Sequence, residues 1–133
     1  MRIVLALCLI VSSAALAAQP ASAAEGCDRE CLRGKVTEVL AALVGHDAGK
    51  LAVAGNLRVT EDGVEKPLAQ VALVRSVTGL RGYRQDVIDE RAGEAVAGVL
   101  VEEAGAPVLL VVRVRVDGEA RLSESNMVTP PMA

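Results

Sequence analysis

The chain has 133 residues, 52% of them hydrophobic, and a formal net charge of −3. A mildly acidic chain offers no basic face for phosphates, which argues against nucleic acid, and it has no charge attraction to anionic lipid. Phe and Trp are absent and Tyr83 is the one tyrosine, so the core must come from Val, Leu and Ala, and a flat ligand finds few rings to stack on.

The first element reads as a leader. Arg2 supplies a positive start, Ile3 to Leu16 is mostly apolar, and Ala21-Ser22-Ala23 puts small residues where a signal peptidase reads. The apolar run falls short of the roughly 20 residues of a membrane span and breaks at Gln19-Pro20. The expected organisation is a signal peptide, 1–23, followed by one domain, 24–133, secreted or periplasmic and free of the membrane after cleavage. Cleavage removes Arg2, leaving a net charge of −4, and removes Cys8, leaving Cys27 and Cys31.

An even cysteine pair in an oxidising compartment suggests a disulfide. The C-x3-C spacing differs from the C-x-x-C of redox and zinc sites. Four residues apart on a regular helix, the Cα atoms lie near the long end of disulfide reach, so the bridge forms more easily if Cys27 precedes the helix. The alternative is two reduced thiols on one helical face.

Cys27 to Val44 predicts an amphipathic helix: Leu32, Val36, Val39, Leu40 and Leu43 recur at spacings of three and four. Asp28 and Glu30 suit its first turn, Gly34 weakens its interior, and Gly45 is placed to stop it with a left-handed backbone. A connection follows from His46 to Asn56, with room for a helical turn at 48–54. Leu57 to Thr60 alternates as a strand, and Asp62-Gly63 is a hairpin turn. Residues 65–78 fit either a short helix or a strand at Val71 to Val77.

Four strands are then expected: Tyr83 to Glu90, Ala95 to Glu103, Val108 to Val116 and Ala120 to Val128, joined by turn residues short enough to make neighbours antiparallel. Val112, Val114 and Val116 alternate with Arg113 and Arg115, the pattern of a sheet with one buried face. The helix stripe would cover that face, giving an α+β domain: an N-terminal helix packed on a curved antiparallel sheet. Thr129-Pro130-Pro131 leads out of the fold.

Motifs of phosphate loops, nucleophile elbows and two-histidine zinc helices are missing, so no cofactor and no metal is expected. Three features carry chemistry. His46, beside Asp47, reads either as an acid–base histidine or as a polar helix exit. On strand alternation Tyr83 and Asp89 share one face and Asp86 takes the other. Asp86 reads either as a base raised by an apolar pocket or as a rim charge. Arg113 and Arg115 read either as an anion site or as a solvated face paired with Glu102 or Glu124.

The run Cys27-Asp28-Arg29-Glu30-Cys31-Leu32 resembles the C-D-R-x-C-L opening of a family of secreted microbial proteins of unassigned function. His46-Asp47 with Leu51, and Asn56-Leu57-Arg58-Val59-Thr60-Glu61-Asp62-Gly63, resemble that family's H-D-x-x-x-L and N-x-R-x-T-E-N-G segments. The resemblance implies the SnoaL-like, nuclear transport factor 2-like cone, in which a curved sheet and helices enclose a pocket. Relatives carry a G-x-G-L-W-type segment where this chain has Leu68 to Thr78, and pocket aromatics that are absent here.

Two functions follow as expectations. One is a non-catalytic module that binds a small apolar molecule or self-associates as a homodimer through its sheet face. The other is a small-molecule isomerase, hydrolase or lyase using a pocket carboxylate, with His46, Tyr83 and Asp86 as candidate catalytic residues.

Overall fold

The first helix starts where a side chain can satisfy its open amides. In the computed structural model, which describes residues 26–131, α1 spans Arg29–Val44, and the Asp28 carboxylate accepts from the Cys31 amide at 2.9 Å. The expected signal segment, 1–23, lies outside the described residues. Cys27 sits just before the cap and is bridged to Cys31, with Cα atoms 5.1 Å apart. Cys27, ahead of the cap, is free of helical geometry, and the span is shorter than the long end of disulfide reach expected on a regular helix.

The exit of α1 departs from expectation. Gly45 is right-handed, with φ −80°. His46 takes the left-handed position at φ 55°, and the amides of His46 and Asp47 bond to Leu43 O and Ala42 O, a Schellman motif. Gly45 serves by size, since a Cβ there would meet Ala41 O at 3.0 Å. Gly34 has no such duty: a Cβ there meets nothing within 4 Å. Gly34→Ala is therefore expected to stabilise the domain by about 0.5–1 kcal/mol, read as a melting temperature about 4 °C higher.

After a 3-10 turn at Ala48–Lys50, β1 runs Val53–Glu61 and turns into the two-residue β2, Val64–Glu65. Asp62 and Gly63 both have positive φ, the primed turn that matches strand twist. The ambiguous 65–78 stretch follows the helical reading, with a 3-10 turn at Leu68–Gln70 and a four-residue helix α2 at Leu73–Ser76; strand begins only at Val77, the last residue of the alternative. The remaining strands are β3 (Val77–Asp89), β4 (Glu94–Glu103), β5 (Ala106–Val116) and β6 (Leu122–Val128). β3 thus starts six residues before the expected Tyr83.

The strands form one sheet in the order β2-β1-β6-β5-β4-β3. β3 to β6 are antiparallel neighbours, as their short links require. β1 adds a parallel pair with β6, so the sheet is mixed. That pairing is invisible locally, because the two strands are far apart in sequence. Irregular registers in β1, β3 and at the end of β5 supply local bends. Pro107 is tolerated inside β5 because β6 pairs with it only from Val111 onward.

α1 packs on β3, β4 and β5. Its five expected apolar residues are all at most 2% exposed. They meet Ala95, Ala97, Val99 and Val101 of β4 and Leu110, Val112 and Val114 of β5, all buried.

Candidate functional site

A cone of this kind would bind a ligand between helix and sheet. Here that space holds one continuous cluster of aliphatic side chains, from Cys27 and Leu32 through Val99 and Leu110 to Met127. Two polar groups interrupt it. The Ser125 hydroxyl, fully buried on β6, has no hydrogen-bond partner. Glu61, the last residue of β1, is 6% exposed.

Glu61 is fully engaged. Its carboxylate accepts from Lys66 Nζ at 2.7 Å, from the Ala72 amide at 3.0 Å and from the Leu73 amide at 2.9 Å. It thereby caps α2, whose own N-terminal residue, Ala72, has no side chain to do so. Burial pushes the carboxyl up, but the Lys66 hydrogen bond and the two amides outweigh it and hold Glu61 below the usual carboxylate value. The sequence contained a signal for this burial: Glu61 continues the alternation of Leu57 and Val59, on the face opposite Arg58 and Thr60.

The three candidate catalytic residues lie apart. His46, at the exit of α1, donates from Nδ1 to the Val74 carbonyl at 2.6 Å; a carbonyl only accepts, so the proton sits on Nδ1. The imidazole ties α1 to α2. Asp86 faces α1, as alternation indicated. It accepts from Arg84 Nε at 2.8 Å and lies 3.5 Å from Arg33 Nε. Arg84 continues to Thr37 Oγ1 and Arg33 O on the helix, so the cluster fastens β3 to α1. Tyr83 projects from the opposite face, 47% exposed, and its hydroxyl donates to Gln85 Oε1. Asp89 accepts from the amides of Arg91 and Ala92 and shapes the β3–β4 turn.

Three surface depressions are described, and His46, Tyr83 and Asp86 line none of them. One of 390 Å³ lies beside the α1 exit between Glu38, Asp47 and Lys50; one of 250 Å³ lies between the Ala48–Lys50 turn and Leu68. The third, 480 Å³, is an open hollow between the Cys27–Cys31 bridge and the β5–β6 turn. Among the described residues no cluster of His, Cys, Asp and Glu is set to hold a metal, and no helix is long and apolar enough to cross a membrane.

The outer sheet face carries a ladder of charges and an apolar band. Toward one end, Glu65, Arg58, Glu124, Arg113, Glu94 and Arg115 alternate in sign across β2 to β4, with contacts of 2.5–3.4 Å. Arg113 and Arg115 therefore neutralise Glu94 and Glu124, while Glu102 pairs with Arg81. Beside this ladder runs an apolar band: Val87 and Val96, level with Arg113, then Val111 and Val128, then Leu100 opposite Leu109, with the Glu102–Arg81 pair closing the far end. Val87 is 66% exposed and Val128 43%. The sequence signal was weak, because each strand contributes only one or two of these residues.

No family model matches the chain, and no curated protein matches it. Solved structures do. A de novo designed protein with a curved β-sheet aligns over 78% of this chain and 88% of its own, at 16% identity and a TM-score of 0.58. AusH from Aspergillus nidulans aligns over 80% and 88%, at 9% identity and a TM-score of 0.60. A de novo designed NTF2 fold protein, NT-9, aligns over 80% and 89%, at 15% identity and a TM-score of 0.51. At these identities the likeness establishes architecture alone. The chain has the α+β, nuclear transport factor 2-like fold: a helix packed on a curved, mixed six-stranded sheet.

Proposed function

We propose that the chain is an exported, non-catalytic module that self-associates through the outer face of its sheet. The observation that carries this reading is the apolar band of that face, set between charges already neutralised in pairs. A filled aliphatic interior and an ion-paired Asp86 support binding at the surface over catalysis in a pocket. Export draws its support from the leader-like opening and from the Cys27–Cys31 bridge, which suits an oxidising compartment.

A second copy is the occupant the face fits. Five strands at about 4.8 Å and five alternate-residue rows at about 6.8 Å span roughly 24 by 34 Å, on the order of 800 Å². That is the share per partner of a standard interface. A two-fold axis lying in the plane of the contact and parallel to the strands lays apolar rows on apolar rows, and internally paired charges enter the contact without a lone ion.

Sedimentation of residues 24–133 is expected to show a dimer or larger species at micromolar concentration. Val111→Glu, at the middle of the apolar band, is expected to abolish that contact by burying two unpaired carboxylates, with the circular dichroism spectrum unchanged. A wild-type chain that stays monomeric at about 100 μM, far above a typical dimer Kd, overturns the reading.

A further inference from the structure

The sheet has one long free edge. β3 is thirteen residues long and lies last in the order, whereas the other edge, β2, has two residues. Among the described residues, β3 pairs with β4 alone, and backbone groups on its other side meet no protein partner. Such an edge is a template for a further strand, and natural proteins leave one open rarely.

We propose that two copies of this chain pair their β3 strands antiparallel about a two-fold axis at Gln85, joining two sheets into one. Charge complementarity selects a second copy as the added strand. With Gln85 opposite itself, the Arg84–Asp86 ion pair of each strand lies against the same pair of its partner in reversed order, so the four charges alternate in sign. Tyr83 meets the partner's Val87 on the outer face, where both side chains are now exposed.

Neighbouring registers are worse. Moving the axis to Asp86 opposes two carboxylates, and moving it to Arg84 opposes two guanidiniums; like charges directly opposite are destabilising. Registers that fall between residues set the outer face of one strand against the helix face of the other, which the pleat forbids. The register break between Leu80 and Arg84 bends the strand, so the symmetric ladder is regular over residues 84–86, with Tyr83 and Val87 at its ends.

The edge and the outer face are different surfaces, so this contact is independent of the one proposed above. With both present, assembly passes beyond a dimer. With Cys27 and Cys31 bridged, residues 24–133 hold no free thiol, which permits single-cysteine probes. Directly opposed residues have Cα atoms about 4.5–5.5 Å apart, within disulfide reach. Gln85→Cys is expected to oxidise to a covalent dimer on a non-reducing gel, both alone and together with Val111→Glu. Val87→Cys, whose two copies sit about 13 Å apart in this register, stays monomeric in the same background.

Charge supplies the second arm. Gln85→Lys and Gln85→Glu, each with Val111→Glu, are expected to dimerise about fivefold more weakly than Val111→Glu alone, and a 1:1 mixture of the two to regain the dimer. Three results overturn the proposal: Gln85→Cys cross-linking no better than Val87→Cys, cross-linking that disappears with Val111→Glu, or a mixture no tighter than its components. A mass unchanged by Val111→Glu overturns the outer-face contact and leaves the edge standing.

Discussion

Replacing Glu61 with Ala is expected to destabilise the domain by about 3–4 kcal/mol, a loss of roughly 15 °C in melting temperature. The change removes three acceptor contacts at once. The Leu73 amide is buried and would have no partner, and the Lys66 ammonium would lose its counter-charge. Each lost bond to an ionised group is worth about 1.5–3 kcal/mol, with water recovering part at the exposed Ala72. Against a total stability of about 5–15 kcal/mol, that is a large fraction.

The pH dependence distinguishes this cause from lost packing. Glu61 titrates below its ordinary value of 4.5 in the folded chain. A depressed carboxylate stabilises fully above its unfolded pKa, and the contribution disappears as pH falls through the folded one. Glu61→Gln keeps the shape and one acceptor oxygen but loses the charge. It is expected to cost about 2 kcal/mol at pH 7, with the gap to wild type closing below about pH 4. A gap independent of pH between 7 and 3, measured by urea unfolding, counts against the assignment.

Leu40→Ala is expected to cost about 3 kcal/mol, through the lost transfer free energy and the cavity left behind. Leu40 is 1% exposed and belongs to the aliphatic cluster beneath α1. With no aromatic ring in that cluster, each leucine supplies much of the local volume. The measurement is the urea midpoint at unchanged slope, which reports stability rather than compactness. A cost below about 1 kcal/mol would mean that the interior collapses around the gap or is already loosely filled.

The two substitutions probe different sources of information in the chain. Leu40 was legible: its stripe with Leu32, Val36, Val39 and Leu43 marked a buried helix face, and Val112 and Val114 marked the opposing sheet face. The turn at Asp62-Gly63 was legible for the same reason, since it depends on residues within one hairpin. Glu61 was legible only in part. Alternation puts it on the inner face, but its partners, the amides of Ala72 and Leu73, lie more than ten residues away.

By itself, then, the sequence determined the elements whose causes are local: the cysteine pair, the apolar stripe, the Val/Arg alternation and the hairpin turns. It also determined that any site must do without stacked rings. Tertiary structure alone decided the parallel β1–β6 pair, the docking of His46 on Val74 away from Tyr83 and Asp86, and the gathering of scattered valines and leucines into one apolar band. The physical reason is range. Capping, turn geometry and periodicity act within a few residues, whereas pairing order and the sharing of a face depend on which distant strands the fold brings together.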